Sequence, residues 1–541
     1  MMTPAQLVRI LMAGDSASGR VFSRGSMFAV AVCVAAMPKA LPSQSSVHAA
    51  APPAAAIPCS QADTACVPPR ATREFRGVWV ASVRNLDWPS RPGLPPSLAK
   101  AELIALLDRA AALGLNAVLL QVRPAGDALY ASKIEPWSEY LTGRQGMPPV
   151  PLWDPLQFAV AQAHARGLEL HAWFNPFRAK EPSAKGPLAP THLARRHPEL
   201  VKKYGTQLWM DPGEPAVRAQ TLRVVLDVVK RYDIDGVHLD DYFYPYPERR
   251  PNGSTDFPDD RSWKAYRKRG GKLARDDWRR GNVDELVETL HREIAKLKPW
   301  VKFGISPFQL WRPGYPESVT TGLDAYATLY ADSRKWFANG WVDYLSPQLY
   351  RRVDEERSYN LLLRWWAAQN ARQRHLWPGL YTSGVRTGTG NEWRHDEIVG
   401  QILATRDQPT ADGEVHFSME SFLSDRDSVG TVLRRTVYAR LALVPESPWM
   451  MDGSPADPAT ALKRSAKGDS LVITPGPGSV ARWWMIQYRT AGTWETQVID
   501  GAVREFGIPA GHDSSSRPDL IAVTAVDRVG KTSGASALRL P

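Results

Sequence analysis

The sequence predicts an α/β chain in which a (β/α)8 barrel is followed by a small β-sandwich. Eight short β-rich apolar runs alternate with eight amphipathic helical stretches, and this succession is typical of the barrel. From about residue 450 the pattern changes to period-2 alternation broken by Gly, Pro and Ser turns, which is typical of antiparallel strands. The predicted boundaries are 73–447 for the barrel and 450–541 for the sandwich.

The predicted barrel strands are runs of aliphatic and aromatic residues, most of which end in a polar or aromatic side chain. They cover 75–83, 116–124, 168–176, 234–242, 301–309, 342–350, 376–384 and 414–422. Active sites of TIM barrels lie at the C-terminal ends of the strands, so these polar ends predict a polar cleft there.

The predicted helices repeat apolar residues at i, i+3, i+4 and i+7. They cover 98–114, 155–167, 215–232, 283–299, 329–340, 359–373, 395–407 and 429–445. Asn282 with Glu285 predicts a capping box at the start of the fourth helix.

Residues 1–50 are predicted to contain a secretory signal peptide, preceded by an over-extended start. An apolar run at 27–37 follows Arg20 and Arg24 and precedes small residues that offer cleavage sites. The run is too short to span a bilayer, and an uncleaved signal anchor is the alternative. We therefore expect an exported protein of the periplasm or cell envelope, with no stable membrane insertion after signal removal and with an Ala/Pro-rich linker at 51–72.

Cysteine content and charge agree with export. Cys59 and Cys66 are close enough in the chain to close a small disulfide loop in an oxidising compartment. The formal net charge of +11 favours acidic partners such as cell-wall polymers, although a solubilising surface charge also explains it. Nucleic acid is not expected as a partner, because no run of five or more Lys/Arg occurs.

Two adjacent carboxylates, Asp240 and Asp241, end the fourth predicted strand. Side chains alternate along a strand, so both can face the barrel axis only if the chain turns between or directly after them. Asp240 shares its face with His238, whereas Asp241 shares the more apolar face of Leu239. Asp240 is therefore the favoured axial carboxylate.

An axial carboxylate suggests glycoside hydrolysis, in which two carboxyl groups flank the scissile bond. The candidates for the partner of Asp240 are Asp241, Asp127 and Glu420. Each also has a structural interpretation: Asp241 could bind backbone amides, Asp127 could cap a turn, and Glu420 could pair with Arg123. In our interpretation Asp240 serves as nucleophile or base and one partner supplies the acid.

Aromatic residues near the predicted strand ends favour a sugar ligand. The chain has 20 Trp, and aromatic faces can cover the C–H faces of pyranose rings. The predicted substrate-binding residues are Arg123, Asn175, Gln348, Tyr350, Tyr242, Trp137 and Trp311.

Other chemistries have less support in the sequence. It contains no G-x-S-x-G elbow, no H-E-x-x-H and no Walker A sequence. His171 and His238 lie in the middle of predicted strands, where core histidines are commoner than metal ligands. No metal or organic cofactor is expected.

Several long motifs together resemble the glycosyl-hydrolase-like 10 family. They include "REFRGVWVASVRNLDWPS", "LLQVRPAGDALYASKIEPWSEYLTGRQG", "DGVHLDDYFYP", "FGISPFQLWR" and "DYLSPQLY", and the resemblance runs from about 73 to 445. It implies a (β/α)8 glycosidase of bacterial envelopes, some members of which act on peptidoglycan without stem peptides. The later stretch "IAVTAVDRVGKTS" resembles closing strands of fibronectin type III modules.

The sequence thus predicts an exported glycoside hydrolase that cleaves glycan strands of the bacterial cell wall by carboxylate acid/base catalysis. Its expected partner is peptidoglycan or a related polysaccharide. Two alternatives stay open: a non-catalytic glycan-binding envelope protein and a carbohydrate deacetylase.

Overall fold

The computed structural model describes residues 57–59, 66–250, 253–355, 358–386, 392–465, 468–509 and 517–541. The predicted signal peptide lies outside these residues. Part of the predicted linker is β-structure, because Ile57–Pro58 pairs antiparallel with the last strand of the chain and Thr72–Arg73 pairs parallel with Ala442–Leu443. The predicted disulfide between Cys59 and Cys66 is present.

Residues 75–416 contain one parallel sheet of nine segments. Its strands are β1 (Phe75–Val80), β2 (Ala117–Arg123), β3 (Glu169–Phe174), β4 (Gly236–Leu239), β5 (Lys302–Ile305), β6 (Tyr344–Leu345), β7 in two pieces (His375–Leu376 and Gly379–Leu380) and β8 (Gly413–His416). The order runs from the first piece of β7 through β6, β5, β4, β3, β2, β1 and β8 to its second piece. Only Trp377 and Pro378 separate the two pieces, so the sheet curves round until its ends meet, as in a TIM-like α/β fold.

A helix follows each of these strands in the chain. The helices are α1 (Pro96–Ala112), α2 (Pro155–His164), α3 (Pro215–Arg231), α4 (Arg275–Leu297), α5 (Ser333–Asn339), α6 (Tyr359–Ala368), α7 (His395–Arg406) and α8 (Val429–Arg435). Proline occupies the first position of α1, α2 and α3, where its missing N–H costs no hydrogen bond. Shorter helices lie at Glu139–Thr142, Leu193–Arg196, Asp260–Lys268, Ala325–Thr328 and Glu420–Leu423.

The predicted start of the fourth helix is wrong. Asn282 lies inside α4, which begins two turns earlier at Arg275. Asp276 and Asp277 occupy the first turn, where carboxylates interact favourably with the positive end of the helix dipole. These charges extend the helix beyond its apolar repeat.

Inserted strands shape the loops at the C-terminal end of the barrel. After β3 the chain forms a three-stranded antiparallel sheet from Arg178–Lys180, Val201–Tyr204 and Gln207–Met210. After β4 a two-stranded pair joins Arg249–Arg250 and Gly253–Ser254. The first insertion fixes the backbone of Arg178 close to the end of β3.

Side-chain alternation divides the barrel residues into two cores. Outward-facing aliphatics such as Val78 and Leu120 pack against the helices, whereas inward-facing aromatics fill the barrel axis. Phe75 and Trp377 stack there with ring centroids 3.7 Å apart. Glycine makes room for these rings: a Cβ at Gly304 would lie 2.1 Å from the ring of Tyr344.

The C-terminal region consists of antiparallel strands in two sheets. The strands are β9 (Ala459–Lys463), β10 (Ser470–Thr474), β11 (Trp483–Thr490), β12 (Thr493–Asp500), β13 (Glu505–Gly507), β14 (Pro518–Val526) and β15 (Thr532–Arg539). One sheet has the order β9, β10, β13; in the other, Ile57–Pro58, β15, β14, β11 and β12 follow one another. Leu471 and Ile473 of the first sheet share a core with Trp484, Ile486 and Val523 of the second. The assignment to the fibronectin type III class stays a prediction.

The C-terminal sheets lie against the N-terminal ends of the barrel strands. Arg528 Nη1 is 2.8 Å from a carboxylate oxygen of Asp233, and Arg482 Nε is 3.5 Å from Asp235, both directly before β4. On the other side of the barrel base, the indole of Trp449 donates to Asp343. Among the described residues, no helix is both long enough and apolar enough to cross a bilayer.

Gly304→Ala should destabilise the barrel by about 1–3 kcal/mol, because its methyl group would overlap the buried Tyr344 ring. Gly281→Ala is the matched control, since Gly281 lies inside α4 and a Cβ at this position would meet no neighbouring atom within 4 Å. This control should stabilise the protein by about 0.5–1 kcal/mol through helix propensity. Urea unfolding of both variants measures the difference, and equal effects would contradict the packing of Tyr344 on Gly304.

Candidate active site

A cavity of about 250 Å³ opens at the C-terminal ends of the barrel strands. Both adjacent carboxylates of the fourth strand line it. Its aromatic lining is Trp79, Trp173, Tyr242, Tyr350 and Phe417, and its polar lining is Gln121, Arg178, Asp240, Asp241, Ser306 and Gln348. The cavity therefore combines acid groups with flat apolar walls, the composition expected of a sugar site.

Asp240 faces the barrel axis, in agreement with the alternation along β4. Its carboxylate accepts hydrogen bonds from the Trp173 indole at 3.2 Å and from the Asn175 side-chain amide, both at the end of β3. Burial, with a smaller contribution from neighbouring Asp241, raises the pKa of Asp240 to about 7, although Arg178 lowers it. Asp240 can therefore exist both protonated and ionised near neutral pH.

Asp241 reaches the same cavity because the chain bends immediately after β4. It accepts hydrogen bonds from the hydroxyl of Tyr246 and from the side chain of Gln348. Burial raises the pKa of Asp241, while these two donors lower it. The alternation of side chains allowed Asp241 to face the barrel axis only if the chain turns directly after the strand, and the chain does turn there.

The structure brings several predicted substrate-binding residues to the cavity. Gln348, Tyr350 and Tyr242 line it, and the Gln348 amide is also anchored by the carbonyl of Ser306 at 3.0 Å. Asn175 lies behind Asp240, where its oxygen accepts from Gln121 while its amide donates to the carboxylate. Asn175 thus positions an acid group.

The other two carboxylate candidates do not line the cavity. Asp127 is enclosed in the loop after β2, where it accepts from Gln145 at 3.0 Å and from the Ala125 backbone N–H. Burial raises the pKa of Asp127 to about 6. Glu420 lies on a short helix after β8 and pairs with Arg426. Asp240 and Asp241 are thus the two carboxylates among the described residues of the lining.

Three further predicted binding residues also lie outside the cavity lining. Arg123 is fully buried and forms two hydrogen bonds with Glu135, at 2.7 and 2.6 Å. Trp137 lies in the loop after β2, where its backbone forms an isolated β-bridge with Ala128. Trp311 packs on the rings of neighbouring aromatics after β5, and its indole donates to Asp332. Their roles in substrate binding stay predictions.

The residues of the site that were not among the predicted ones include Arg178, Gln121, Trp79, Phe417 and Tyr246. Trp79 and Gln121 lie on the axial face of predicted strands, so the alternation that selected Asp240 could also have found them. Tyr246 lies in the aromatic stretch after the acid pair. Arg178 had no such signal, because its position depends on the sheet inserted after β3.

A chain of hydrogen bonds runs from the cavity down the barrel axis. The indole N–H of Trp79 can only donate, so Nε2 of His238, 3.0 Å away, must accept. Burial lowers the pKa of His238 well below its usual range, and its proton therefore lies on Nδ1 and points to the Tyr344 hydroxyl. That hydroxyl also lies 2.9 Å from Nδ1 of His171, whose Nε2 is 3.0 Å from a carboxylate oxygen of Glu169. The chain fixes the ring of Trp79 in the cavity wall.

The chemistry of the site follows from the two carboxyl groups. Glycosidic cleavage needs a carboxyl group that can hand a proton to the leaving oxygen and a second carboxylate that acts on the developing oxocarbenium ion or on water. Asp240, with a pKa near neutrality, and Asp241 lie together in one aromatic-walled cavity. The fold and the site define the class of protein as a glycoside hydrolase.

Comparison with known proteins gives the family. The sequence model of the family "Glycosyl hydrolase-like 10" matches residues 74–395, and the chain belongs to this family. It is 39% identical to glycosyl hydrolase YngK of Bacillus subtilis (strain 168) over 416 residues, which are 75% of this chain and 80% of that protein. It is 37% identical to glycosyl hydrolase DigH of Escherichia coli (strain K12), over 56% of this chain and 72% of that protein.

Among solved structures, the chain is similar to the glycoside hydrolase domain of PgaB (BpsB) from Bordetella bronchiseptica. The TM-score is 0.46 at 13% sequence identity, and the similarity covers 69% of this chain and all of that domain.

No group of three His, Cys, Asp or Glu side chains with metal-binding geometry occurs within the described part of the chain.

Asp240→Asn should stabilise the folded protein at pH 8 and much less at pH 4. Because the folded-state pKa of Asp240 is about 7, the native state binds more protons than the unfolded state between about pH 4 and 7. Wild-type stability therefore falls as pH rises through this window, and the neutral amide avoids this loss. The expected gain at pH 8 is up to about 4 kcal/mol by urea unfolding.

Asp108→Asn is the control for this measurement. Asp108 is largely exposed and pairs with Arg166 at 2.6 Å, so its replacement should change stability by less than about 1 kcal/mol. An Asp240→Asn effect of the same size at both pH values would contradict the raised pKa.

Proposed function

We propose that this glycoside hydrolase is exported and cleaves the glycan strands of bacterial peptidoglycan, with a preference for strands that lack stem peptides. The observation that carries the proposal is the pair of buried carboxyl groups in an aromatic-walled cavity. The net charge of +8 that residues 51–541 carry suits an acidic polymer, and the motifs around Asp240 resemble those of envelope glycosidases. We also propose that the two C-terminal sheets form a β-sandwich of the fibronectin type III kind.

In the proposed mechanism Asp240 is the proton donor. Its carboxyl group gives a proton to the glycosidic oxygen as the bond from that oxygen to the sugar's anomeric carbon breaks. Asp241 is the ionised partner, because Tyr246 and Gln348 donate hydrogen bonds that stabilise its negative charge. This assignment reverses the order of roles that we expected from the sequence, where Asp240 was the nucleophile or base.

The aromatic residues of the cavity have separate tasks in this mechanism. Trp79 and Trp173 present ring surface to the sugar, and both are fixed by hydrogen bonds from their indole N–H groups. Tyr350 and Phe417, with ring centroids 6.0 Å apart, extend the apolar wall. This arrangement orients the glycan and keeps water away from the acid pair, which also maintains the raised pKa of Asp240.

Intact and amidase-stripped peptidoglycan should be incubated with the mature protein, and the products read by mass spectrometry. We expect new glycan ends from the stripped strands, and we expect Asp240→Asn and Asp241→Asn each to reduce their release at least about 100-fold. Asp108→Asn is the active control. Absence of new ends from both substrates would reject the proposed function, and release of acetate without new ends would indicate a deacetylase.

The pH dependence of kcat/KM tests the assignment of roles. Asp240 must be protonated to act as the acid, so activity should fall as pH rises through about 7. Tyr246→Phe removes a donor that lowers the pKa of Asp241, and the decline of activity on the acidic side should therefore move to higher pH. A profile of Tyr246→Phe that moves only on its alkaline side would show that the roles of the two carboxyl groups are reversed.

A further inference from the structure

Arg178 is a buried cation in the wall of the cavity, and no carboxylate among the described residues lies within ion-pair distance of it. Its residue exposure is 6%, and its Nε is enclosed without a hydrogen-bond acceptor. The hydrogen bond that it does form, from Nη1 to the carbonyl of Pro124, is long at 3.5 Å. A guanidinium has five N–H donors, so most of this group's donor capacity is directed at the cavity or unmet.

The guanidinium is held in place without being neutralised. Tyr242 packs against it with the guanidinium carbon 4.3 Å from the ring centroid. The backbone of Arg178 is paired with Trp209 in the inserted sheet. Asp240 and Asp241 are near enough for Arg178 to lower their pKa, yet neither forms an ion pair with it. The group is therefore preorganised for a ligand.

Arg123 is a second buried arginine near the cavity, and its hydrogen-bond partners show what a structural arginine requires. Arg123 is fully buried as well, but it is matched by Glu135 through two hydrogen bonds and by the carbonyls of Asn175 and Pro176. Burying a guanidinium costs several kcal/mol unless such partners compensate it. Among the described residues Arg178 has no ion-paired carboxylate and only the long hydrogen bond to Pro124, so an acidic group that enters the cavity can supply the compensation that Glu135 gives Arg123.

We propose that Arg178 is a specificity-determining residue that binds a carboxylate carried by the sugar in the cavity, so that the enzyme prefers glycans with acidic substituents. A planar carboxylate accepts two parallel N–H bonds from a guanidinium, and a hydroxyl or a carbonyl cannot match this geometry. The proposal rests on the proposed function for the identity of the polymer. The lactyl ether carboxylate of N-acetylmuramic acid is the group of this kind in peptidoglycan strands.

Binding of two oligosaccharides tests this proposal separately from hydrolysis. The probes are a tetrasaccharide of alternating N-acetylglucosamine and N-acetylmuramic acid, and the same compound with its lactyl carboxyl groups converted to amides. Calorimetry uses Asp240→Asn, which keeps that side chain neutral and stops turnover. The acidic probe should bind about 10- to 100-fold more tightly than the amide, the range of one charge-assisted bidentate contact.

Variants of Arg178 identify the residue responsible. In the same background Arg178→Met should remove the preference for the acidic probe, and Arg178→Lys should retain part of it because the charge remains. Arg196→Met is the matched control from the same connection after β3, since Arg196 is exposed, and it should leave the preference unchanged. Equal loss of affinity for both probes in Arg178→Met would indicate a merely structural role and overturn the proposal.

The outcomes also separate this proposal from the proposed function. Tight binding of the acidic probe without cleavage of peptidoglycan by the wild-type enzyme would support Arg178 as the carboxylate ligand and reject the peptidoglycan hydrolase. Cleavage of stripped strands together with equal affinity for both probes would support the peptidoglycan hydrolase and overturn the role of Arg178. Failure of the acidic probe to bind would overturn the role of Arg178.

Discussion

The burial of Asp240 at the barrel axis is the constraint on which the rest of the site depends. An ionised carboxylate there is costly, and the protein lowers the cost in two ways: Trp173 and Asn175 donate to it, and its pKa rises until it can hold a proton near neutral pH. The aromatic walls that bury this carboxylate also supply apolar surface suited to a sugar. The raised pKa of Asp240 and the aromatic surface for a ligand therefore come from a single structural feature, the burial of Asp240 in an aromatic-walled cavity.

Below this cavity, several buried polar side chains lie on the barrel axis and hydrogen-bond to one another. Hydrogen bonds link Trp79 through His238, Tyr344 and His171 to Glu169, which is itself paired with Lys302 at 2.9 Å. The indole N–H of Trp79 can only donate, and it therefore sets the tautomer of His238. A fully connected buried network of this kind rigidifies its members. The wall of the cavity is thus held by residues below it that are not part of its lining.

Much of the fold and part of the site could be predicted from the sequence, because both depend on short-range patterns. Period-2 alternation placed Asp240 on the axis, and strand order placed Gln348 and Tyr350 at the same end of the sheet. Arg123 and Arg178 show where this reasoning stops. Arg123 forms an ion pair with Glu135, whereas Arg178 forms no ion pair with a carboxylate among the described residues. This difference arises from the packing of loops, which no local sequence pattern predicts. The short helix that carries Glu420 away from the cavity has the same origin.

The C-terminal sheets and the cavity lie at opposite ends of the barrel strands. Arg528 and Arg482 contact Asp233 and Asp235 directly before β4, whereas Asp240 and Asp241 follow the same strand at its other end. The four carboxylates flank one short strand, but the first pair is matched by fixed arginines and the second faces a cavity. Arginine pairing lowers the pKa of Asp233, while burial raises that of Asp240. One strand thus has an arginine-paired pair of carboxylates at the base of the barrel and, at its mouth, a buried pair that faces the cavity; burial and the partners of each pair distinguish them.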